Sequence, residues 1–364
     1  MDRGEKWMNK LLFSPLKIKD ITLRNRITVS PMCQYSSMDG FANNWHLVHL
    51  GSRAVGGASL VTTEATAVES EGRISPQDLG IWKDEHIEFL KQITGFIESQ
   101  GAAAGIQLAH AGRKASTRRP WDSGSRSVKP EEGGWVPVGP SPIPFDKGYL
   151  VPIELTLKEM ENIKKSFQEA TGRAYHAGFK VIEIHAAHGY LIHEFLSPLS
   201  NRRKDEYGGT LENRMRFPLE IVKAARKVWP EKYPLFVRIS ATDWVPEGWD
   251  LEQSVGFSKK LKEEGVDLIV CSSGGLVPDA EIPNEPGYQV PFSDRIRNEV
   301  GILTAALGLI TGAEQAEKIL QEGKADLVAI AREFLRNPYW ALLASIQLQV
   351  EADLWPVQYL RAKI

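Results

Sequence analysis

The densest group of chemically capable side chains is His185 and His188, which are separated by two alanines and followed by Tyr190 and His193. Such histidines can bind a metal ion, or they can act as neutral imidazoles that donate hydrogen bonds to a substrate oxygen. A metal-dependent barrel also needs ligands from other strands, and the zinc pattern His-Glu-x-x-His fails because Ser197 follows His193-Glu194. We therefore favour the donor interpretation, with a metal-dependent hydrolase as the alternative.

Polar or small residues also end, or closely follow, apolar runs elsewhere in the chain. Burying such groups is costly without partners, so together they predict a ligand with many hydrogen-bonding edges. Gly308 and Arg332 are expected to bind a phosphate. Gln107 and Arg238 are expected to form hydrogen bonds with the carbonyl and nitrogen groups of a heteroaromatic ring. Arg238 is also expected to stabilise negative charge on that ring when it is reduced. The other members of this set are Pro31, Met32, Cys33, Tyr35, Glu64, Ala65, Thr66, His110, Ser272, Ser273 and Gly274.

Eight short apolar runs rich in β-branched residues alternate with longer amphipathic stretches, such as 157–176 and 315–322. This alternation predicts an α/β protein with a single (β/α)8 TIM barrel, in which the carboxyl ends of all strands meet at one face. An open doubly wound sheet is the alternative, but its Gly-x-Gly-x-x-Gly dinucleotide motif is absent. The eight runs are 26–30, 60–63, 105–108, 181–185, 235–239, 268–271, 302–305 and 327–330.

Residues 112–152 form a long connection after the third run that is rich in proline, glycine and aromatic residues. This composition predicts a folded lid, elaborated on one domain that spans residues 1–364. A basic cluster within this segment, Arg113, Lys114, Arg118 and Arg119, is expected on its solvated surface.

The 364 residues include 44 Lys and Arg against 46 Asp and Glu, a balance that disfavours nucleic-acid binding. The two cysteines, Cys33 and Cys271, are too few for a disulfide framework or a four-thiolate iron–sulfur cluster. Neither an apolar leader nor a stretch of about 18 apolar residues is present. We expect a cytoplasmic protein with no membrane partner.

Taken in order, five segments resemble the signatures of the old yellow enzyme family of FMN-dependent ene-reductases, specifically its thermophilic-like class. They are residues 30–35, 64–67, 107–114, 185–191 and 201–217. Two positions depart from the family pattern. Ala331 stands where many relatives have glycine before the last barrel arginine, and Leu307 stands where some have an aromatic residue. We expect these departures to affect the approach to the phosphate and the shape of the pocket.

The resemblance implies a tightly bound, non-covalent FMN. It implies that Cys33 tunes the flavin, that Tyr35, His185 and His188 bind the substrate, and that Tyr190 donates a proton. Arg361, in a C-terminal tail over 355–364, is similar to an arginine that enters the neighbouring subunit's site, which implies a homodimer or a dimer-based tetramer. The implied FMN contacts are Ser30, Pro31, Met32, Cys33, Ala65, Gln107, His185, Arg238, Ser273, Gly308 and Arg332.

The implied reaction is a ping-pong hydride transfer from NADPH or NADH to FMN, and from FMN to an activated alkene such as an enone, enal, nitroalkene or maleimide. The missing dinucleotide motif fits, because the nicotinamide needs only a transient place on the flavin. A metal-dependent hydrolase that uses the His-x-x-His pair and a non-catalytic flavin-binding protein remain as alternatives.

Overall fold

The computed structural model describes residues 10–363, and eight parallel strands within this range close into a barrel. Each neighbouring pair is parallel, and Val328 of the last barrel strand pairs with Ile27 of the first to complete the ring. The predicted (β/α)8 barrel is therefore confirmed. Residues 1–9 and 364, which belong to the predicted domain and tail, lie outside the described residues.

Each predicted run overlaps one barrel strand, and six of the eight strands extend beyond their runs, four of them by a single residue. Ala65 consequently lies within a strand and not beyond its end, with a register shift between Thr62 and Ala65. The barrel strands are Ile27–Val29, Leu60–Ala67, Ala103–Ala109, Val181–Ala186, Leu235–Ser240, Leu268–Ser272, Leu303–Ala306 and Leu327–Ile330.

Helices cover the outside of the barrel. The predicted helix over 157–176 has these bounds, because Thr156 and Glu159 cap each other's backbone amides at its start and its apolar face is buried. None of the helices in the described range is both long and apolar enough to cross a bilayer. The α-helices are Asn44–Val55, Ile87–Ser99, Leu157–His176, Leu191–Leu196, Leu211–Val228, Leu251–Glu263, Val290–Val300, Ala313–Gln321, Arg332–Arg336 and Trp340–Gln347.

An antiparallel pair of short strands, Leu16–Ile18 and Ile21–Leu23, precedes the barrel and was not predicted. Its buried Ile18 and Leu23 pack in one cluster with Leu60, Val181 and other residues near the amino ends of the barrel strands. The pair therefore closes that end of the barrel.

The connection over 112–152 is folded. It contains the 3-10 turns Gly112–Lys114 and Pro130–Glu132, and its strand Val138–Gly139 pairs in parallel with Ile153–Glu154, just beyond the predicted boundary. Trp121 of this segment packs edge-on against Tyr35, with ring centroids 5.6 Å apart. The segment thus contacts the loop that follows the first barrel strand.

The expectation that Arg113 and Lys114 lie on a solvated surface is wrong. Arg113 is buried and donates to the carbonyl of Leu276, at 2.6 Å. The Lys114 ammonium donates to the carbonyls of His188 and Gly275, each at 3.0 Å. Carbonyls from two distant loops satisfy these cations inside the protein, because a buried donor needs acceptors. Lys114 therefore ties the start of the 112–152 segment to the loops that follow the fourth and sixth barrel strands.

This burial makes stability depend on pH. Burial, followed by the neighbouring charge of Arg113, lowers the pKa of Lys114 from 10.5 to about 7. Between those values the unfolded chain holds a proton that the folded chain lacks, so the contribution of Lys114 to stability rises with pH and is lost as the pH falls through 7. We expect the free energy of unfolding of wild type minus that of Lys114→Met to increase by up to about 1.4 kcal/mol per pH unit above pH 7.

Urea unfolding at pH 6.5 and pH 9 measures this difference. The control is Lys318→Met, because Lys318 is exposed, and its difference from wild type should not depend on pH. A Lys114→Met difference that is the same at both pH values would contradict the prediction.

Candidate active site

Strand register positions the polar side chains of the barrel interior in two layers. Gln107 is paired with Glu183 on neighbouring strands, and His185, two residues further along, is paired with Arg238. Side chains two apart in a strand share a face, so Glu183 and His185 point to the same side of the sheet. Glu183 lines a small void in the interior with Phe236. The layer of His185 and Arg238 therefore lies closer to the carboxyl ends of the strands, at the opening of the barrel that we call the mouth.

A cavity of about 260 Å³ opens at the carboxyl ends of the last barrel strands and continues to the first. It brings together residues that are far apart in the sequence. Those predicted to contact a ligand are Ser30, His188, Arg238, Ser273, Gly308 and Arg332, and those not predicted include Tyr288, Gln289 and Arg336.

One end of this cavity is suited to an anion. Arg332 and Arg336 both line it, and Arg332 makes no ion pair within the described residues. Gly308 has a φ of +103°, and a Cβ there would lie 3.0 Å from both the backbone nitrogen and the Cβ of Gln289. Glycine is therefore required for this close approach of backbone. Ala331 has a φ of −109°, so its position does not require glycine.

The other end presents groups that suit a polar ring. The Arg238 guanidinium is buried and donates to the hydroxyl of Ser30 at 2.9 Å. Its Nε and the Oε1 of Gln289 are buried without a hydrogen-bond partner in the described part of the chain. Gln289 donates from its Nε2 to Ser273, at 2.7 Å. Unpartnered buried polar atoms are rare in proteins, and a ligand with both donors and acceptors would satisfy these.

His185, His188 and Tyr190 form one group beside this end. The His185 ring lies edge-on to both of the other rings, with centroids 5.1 Å apart in each case. Its Nδ1 accepts from the amide of Ala187 at 3.3 Å, so Nε2 carries the proton and is free to donate. The Nε2 of His188 lies 2.7 Å from the hydroxyl of Ser272. Burial, followed by the charge of Arg238, holds the pKa of both histidines well below the ordinary value, so both are neutral.

His193 supports the turn that carries these groups. It is fully buried, its Nδ1 accepts from the amide of Gly189 at 2.9 Å, and its Nε2 lies 3.0 Å from a carboxylate oxygen of Asp243. The Nδ1 is therefore hydrogen-bonded to the turn, and the Nε2 lies beside a carboxylate. In residues 10–363, no group of three or more His, Cys, Asp or Glu side chains is arranged to hold a metal ion.

The loop after the first barrel strand borders the same group. Cys33 and Tyr35 are partly buried in a small apolar cluster that also contains Ala65 and Tyr190. Burial, with the charges of Asp78 and Glu64 added, raises the pKa of the Cys33 thiol, which is therefore protonated. Pro31 and Met32, also predicted to contact the ligand, lie in the same loop and are partly buried.

Arg361 is exposed on the 3-10 turn Val357–Ala362 and is not among the residues that line the cavity of its own chain. Residues of the site that sequence reasoning missed include Glu183, Gln289, Lys114, Tyr288 and Arg336. The pairing of Glu183 with Gln107 follows from strand register, which the runs alone did not determine. Gln289 lies outside the strands, after an irregular loop, and carried no signal.

The model of the NADH:flavin oxidoreductase / NADH oxidase family matches residues 11–351 of this chain. An NADPH dehydrogenase of Geobacillus sp. (strain WCH70) is 52% identical over 343 residues, which cover 94% of this chain and 95% of the relative. An NADPH dehydrogenase of Bacillus subtilis (strain 168) is 50% identical over 356 residues, which cover 97% and 99%.

Solved structures of reductases share the fold. Morphinone reductase superposes with a TM-score of 0.78 at 25% identity, covering 94% of this chain and 91% of that one. A 2-naphthoyl-CoA reductase complex superposes with a TM-score of 0.85 at 26% identity over 95% of this chain, which spans only 53% of that longer protein. The family match and the NADPH dehydrogenases confirm the resemblance drawn from the motifs: this chain belongs to the NADH:flavin oxidoreductase / NADH oxidase family, with the old yellow enzymes, and is a flavin-dependent oxidoreductase.

Proposed function

We propose that the chain binds FMN tightly and without a covalent bond, accepts electrons from NADPH or NADH, and reduces activated C=C bonds in enones, enals, nitroalkenes or maleimides. The proposal is supported mainly by the groups that meet at the mouth of the barrel. An anion site at Arg332 and Gly308 is joined through the buried Arg238 to a pair of neutral histidines.

The residues at the mouth fit FMN. The Nε of Arg238 and the Oε1 of Gln289 have no hydrogen-bond partner among the residues that the structure describes, and a ring with carbonyl oxygens and an imide N–H would supply them. Arg332 and the backbone around Gly308 would hold the phosphate. Ser30, Pro31, Met32, Cys33, Ala65, Gln107 and Ser273 would border the ring. When bound, FMN supplies the ability to accept a hydride from the nicotinamide and to pass it to the second substrate.

The chain's own residues would prepare the alkene for this transfer. The Nε2–H of His185, with His188, would donate hydrogen bonds to the carbonyl or nitro oxygen of the substrate, where negative charge develops. Burial raises the pKa of Tyr190, so its hydroxyl stays protonated at neutral pH. This hydroxyl would donate the proton that the α-carbon of the substrate receives. Tyr35 and the 112–152 lid would close the site from solvent. Arg361, exposed on the tail, would enter the site of a neighbouring subunit in a homodimer or dimer-based tetramer.

An anaerobic NADPH titration tests the proposal. The purified protein should be yellow, should bleach on addition of NADPH, and should regain its colour when an enone, nitroalkene or maleimide is added. A yellow protein that does not bleach would instead be a flavin-binding protein without this activity. A protein that stays colourless after incubation with FMN would contradict the cofactor assignment.

Replacing His185 separates the two half-reactions. If one donor to the developing oxyanion contributes about 3 kcal/mol, His185→Ala should slow reoxidation by the alkene about a hundredfold and leave FMN bound. Stopped-flow spectroscopy of the reduced protein measures this rate. The control is His176→Ala, because His176 is exposed at the end of a helix, and its rate should equal that of wild type. Equal rates for His185→Ala and wild type would remove His185 from the proposed mechanism.

Replacing Arg332 tests the phosphate end. A hydrogen bond to a charged group contributes about 1.5 to 3 kcal/mol, so Arg332→Met should raise the Kd of FMN about tenfold to a hundredfold. Riboflavin, which has no phosphate, should bind both proteins equally. Fluorescence titration of the apoprotein measures both affinities. Equal weakening of both ligands would show that Arg332 acts on the ring or on the fold and not on the phosphate.

A further inference from the structure

A buried carboxylate that the proposed reaction does not use lies beneath the mouth. The side chain of Glu183 is 4% exposed, in the middle of the fourth barrel strand, and its Oε1 accepts from the Nε2 of Gln107 at 2.6 Å. The two residues are direct partners in the strand register. Burying an ionisable group in a barrel interior is costly unless the group interacts with another charge or a donor. Burial raises the pKa of Glu183, and the charge of Arg238 and the hydrogen bond from Gln107 both oppose this effect and favour the carboxylate.

The contact with Gln107 decides which way its amide points. Because Nε2 faces the carboxylate, Oε1 is turned away from it, and Oε1 takes part in no hydrogen bond within the described residues. A carboxylate that has lost its proton can only accept, so it cannot be paired with Oε1. Glu183 therefore holds Gln107 with its acceptor available to a ligand N–H.

Glu183 also provides negative charge for the guanidinium above it. Arg238 is buried and has no carboxylate within 4.0 Å in the described part of the chain. Burial lowers the pKa of Arg238, and among the groups that oppose this effect the charge of Glu183 is the largest, followed by Cys33, Tyr288 and Tyr190. The others are a thiol and two phenols, which are neutral at pH 7. Glu183 is thus the carboxylate that offsets the field of Arg238 at the mouth.

We propose that Glu183 is a positioning residue for the flavin: it orients the amide of Gln107 toward the ring's N–H and reduces the positive field of Arg238. The inference rests on the proposed FMN function. Positive charge beside the ring favours the reduced flavin, which carries more negative charge, and so raises the reduction potential. A carboxylate beneath the guanidinium acts in the opposite direction, so the chain holds its flavin at a lower potential than Arg238 alone would set.

Two substitutions separate the two roles. Glu183→Gln removes the charge and keeps a carbonyl oxygen that can accept from Gln107. Glu183→Leu removes the charge and the acceptor, so the amide is free to rotate. The control is Glu317→Gln, since Glu317 is also buried but accepts from the amides of Leu11 and Leu12, outside the barrel interior.

The readouts are the midpoint potential, from spectroscopic titration with a reference dye, and the Kd of FMN. We expect both Glu183 variants to have a more positive potential than wild type. The Kd should stay within about threefold in Glu183→Gln and should rise about tenfold in Glu183→Leu, which loses a buried hydrogen bond. Glu317→Gln should match wild type in both.

An unchanged potential in Glu183→Gln overturns the electrostatic role, and equal affinity in the two Glu183 variants overturns the orienting role. If Glu183→Leu does not fold, Glu183→Gln still tests the electrostatic role. The orienting role is then tested by Gln107→Met, which removes the amide and should raise the Kd of FMN about tenfold. An unchanged Kd in Gln107→Met overturns the orienting role. If the wild-type protein binds FMN and is bleached by NADPH, but the Glu183 variants have the same potential and the same Kd as wild type, only this inference is contradicted. A wild-type protein that does neither contradicts the proposed function as well.

Discussion

The organisation of the mouth depends on the cost of burying the guanidinium of Arg238. A buried cation must find acceptors and an opposite charge nearby, and the barrel supplies them from different strands: the hydroxyl of Ser30 and, more distantly, the carboxylate of Glu183. The same charge helps keep His185 and His188 neutral. Burial and this one charge therefore act together on the protonation of the two histidines. The Nε of Arg238 has no hydrogen-bond partner within residues 10–363, and a ligand placed there would complete its hydrogen bonding.

A second set of contacts holds the turn from His188 to Tyr190 in an unfavourable backbone conformation. His188 has a φ of +59°, in the left-handed region that non-glycine residues seldom adopt. Its amide donates to Ser240, its carbonyl accepts from Lys114, and the next amide donates to His193. Three consecutive backbone groups thus have side-chain partners from three other parts of the chain. The strain is maintained because surrounding contacts oppose its release, a pattern that is common at functional sites.

The sequence allowed the barrel to be predicted because its strands are short, apolar and rich in β-branched residues, and because the helix over 157–176 carries its own capping residues. It did not predict the strand pair Leu16–Ile18 and Ile21–Leu23, since three-residue strands have too little alternation to be recognised. Lys114 was placed on the surface because lysine usually lies there, and its burial depends on carbonyls 74 and 161 residues away. Site residues at strand positions were predictable, whereas Gln289, which reaches the cavity from outside the strands, was not.

The electrostatics of the mouth suit a reaction in which negative charge forms and disappears on a substrate oxygen. Charged imidazoles would bind an anion tightly in the ground state, but neutral imidazoles interact more strongly as the charge develops, which favours the transition state. Burial lowers the pKa of both histidines, and the positive charge of Arg238 acts in the same direction. Burial also keeps the hydroxyl of Tyr190 protonated beside them. Positive charge at the mouth therefore resides on the guanidinium of Arg238, which does not release a proton to the substrate. The proton that is needed stays on Tyr190, whose pKa is raised, until the substrate becomes basic enough to take it.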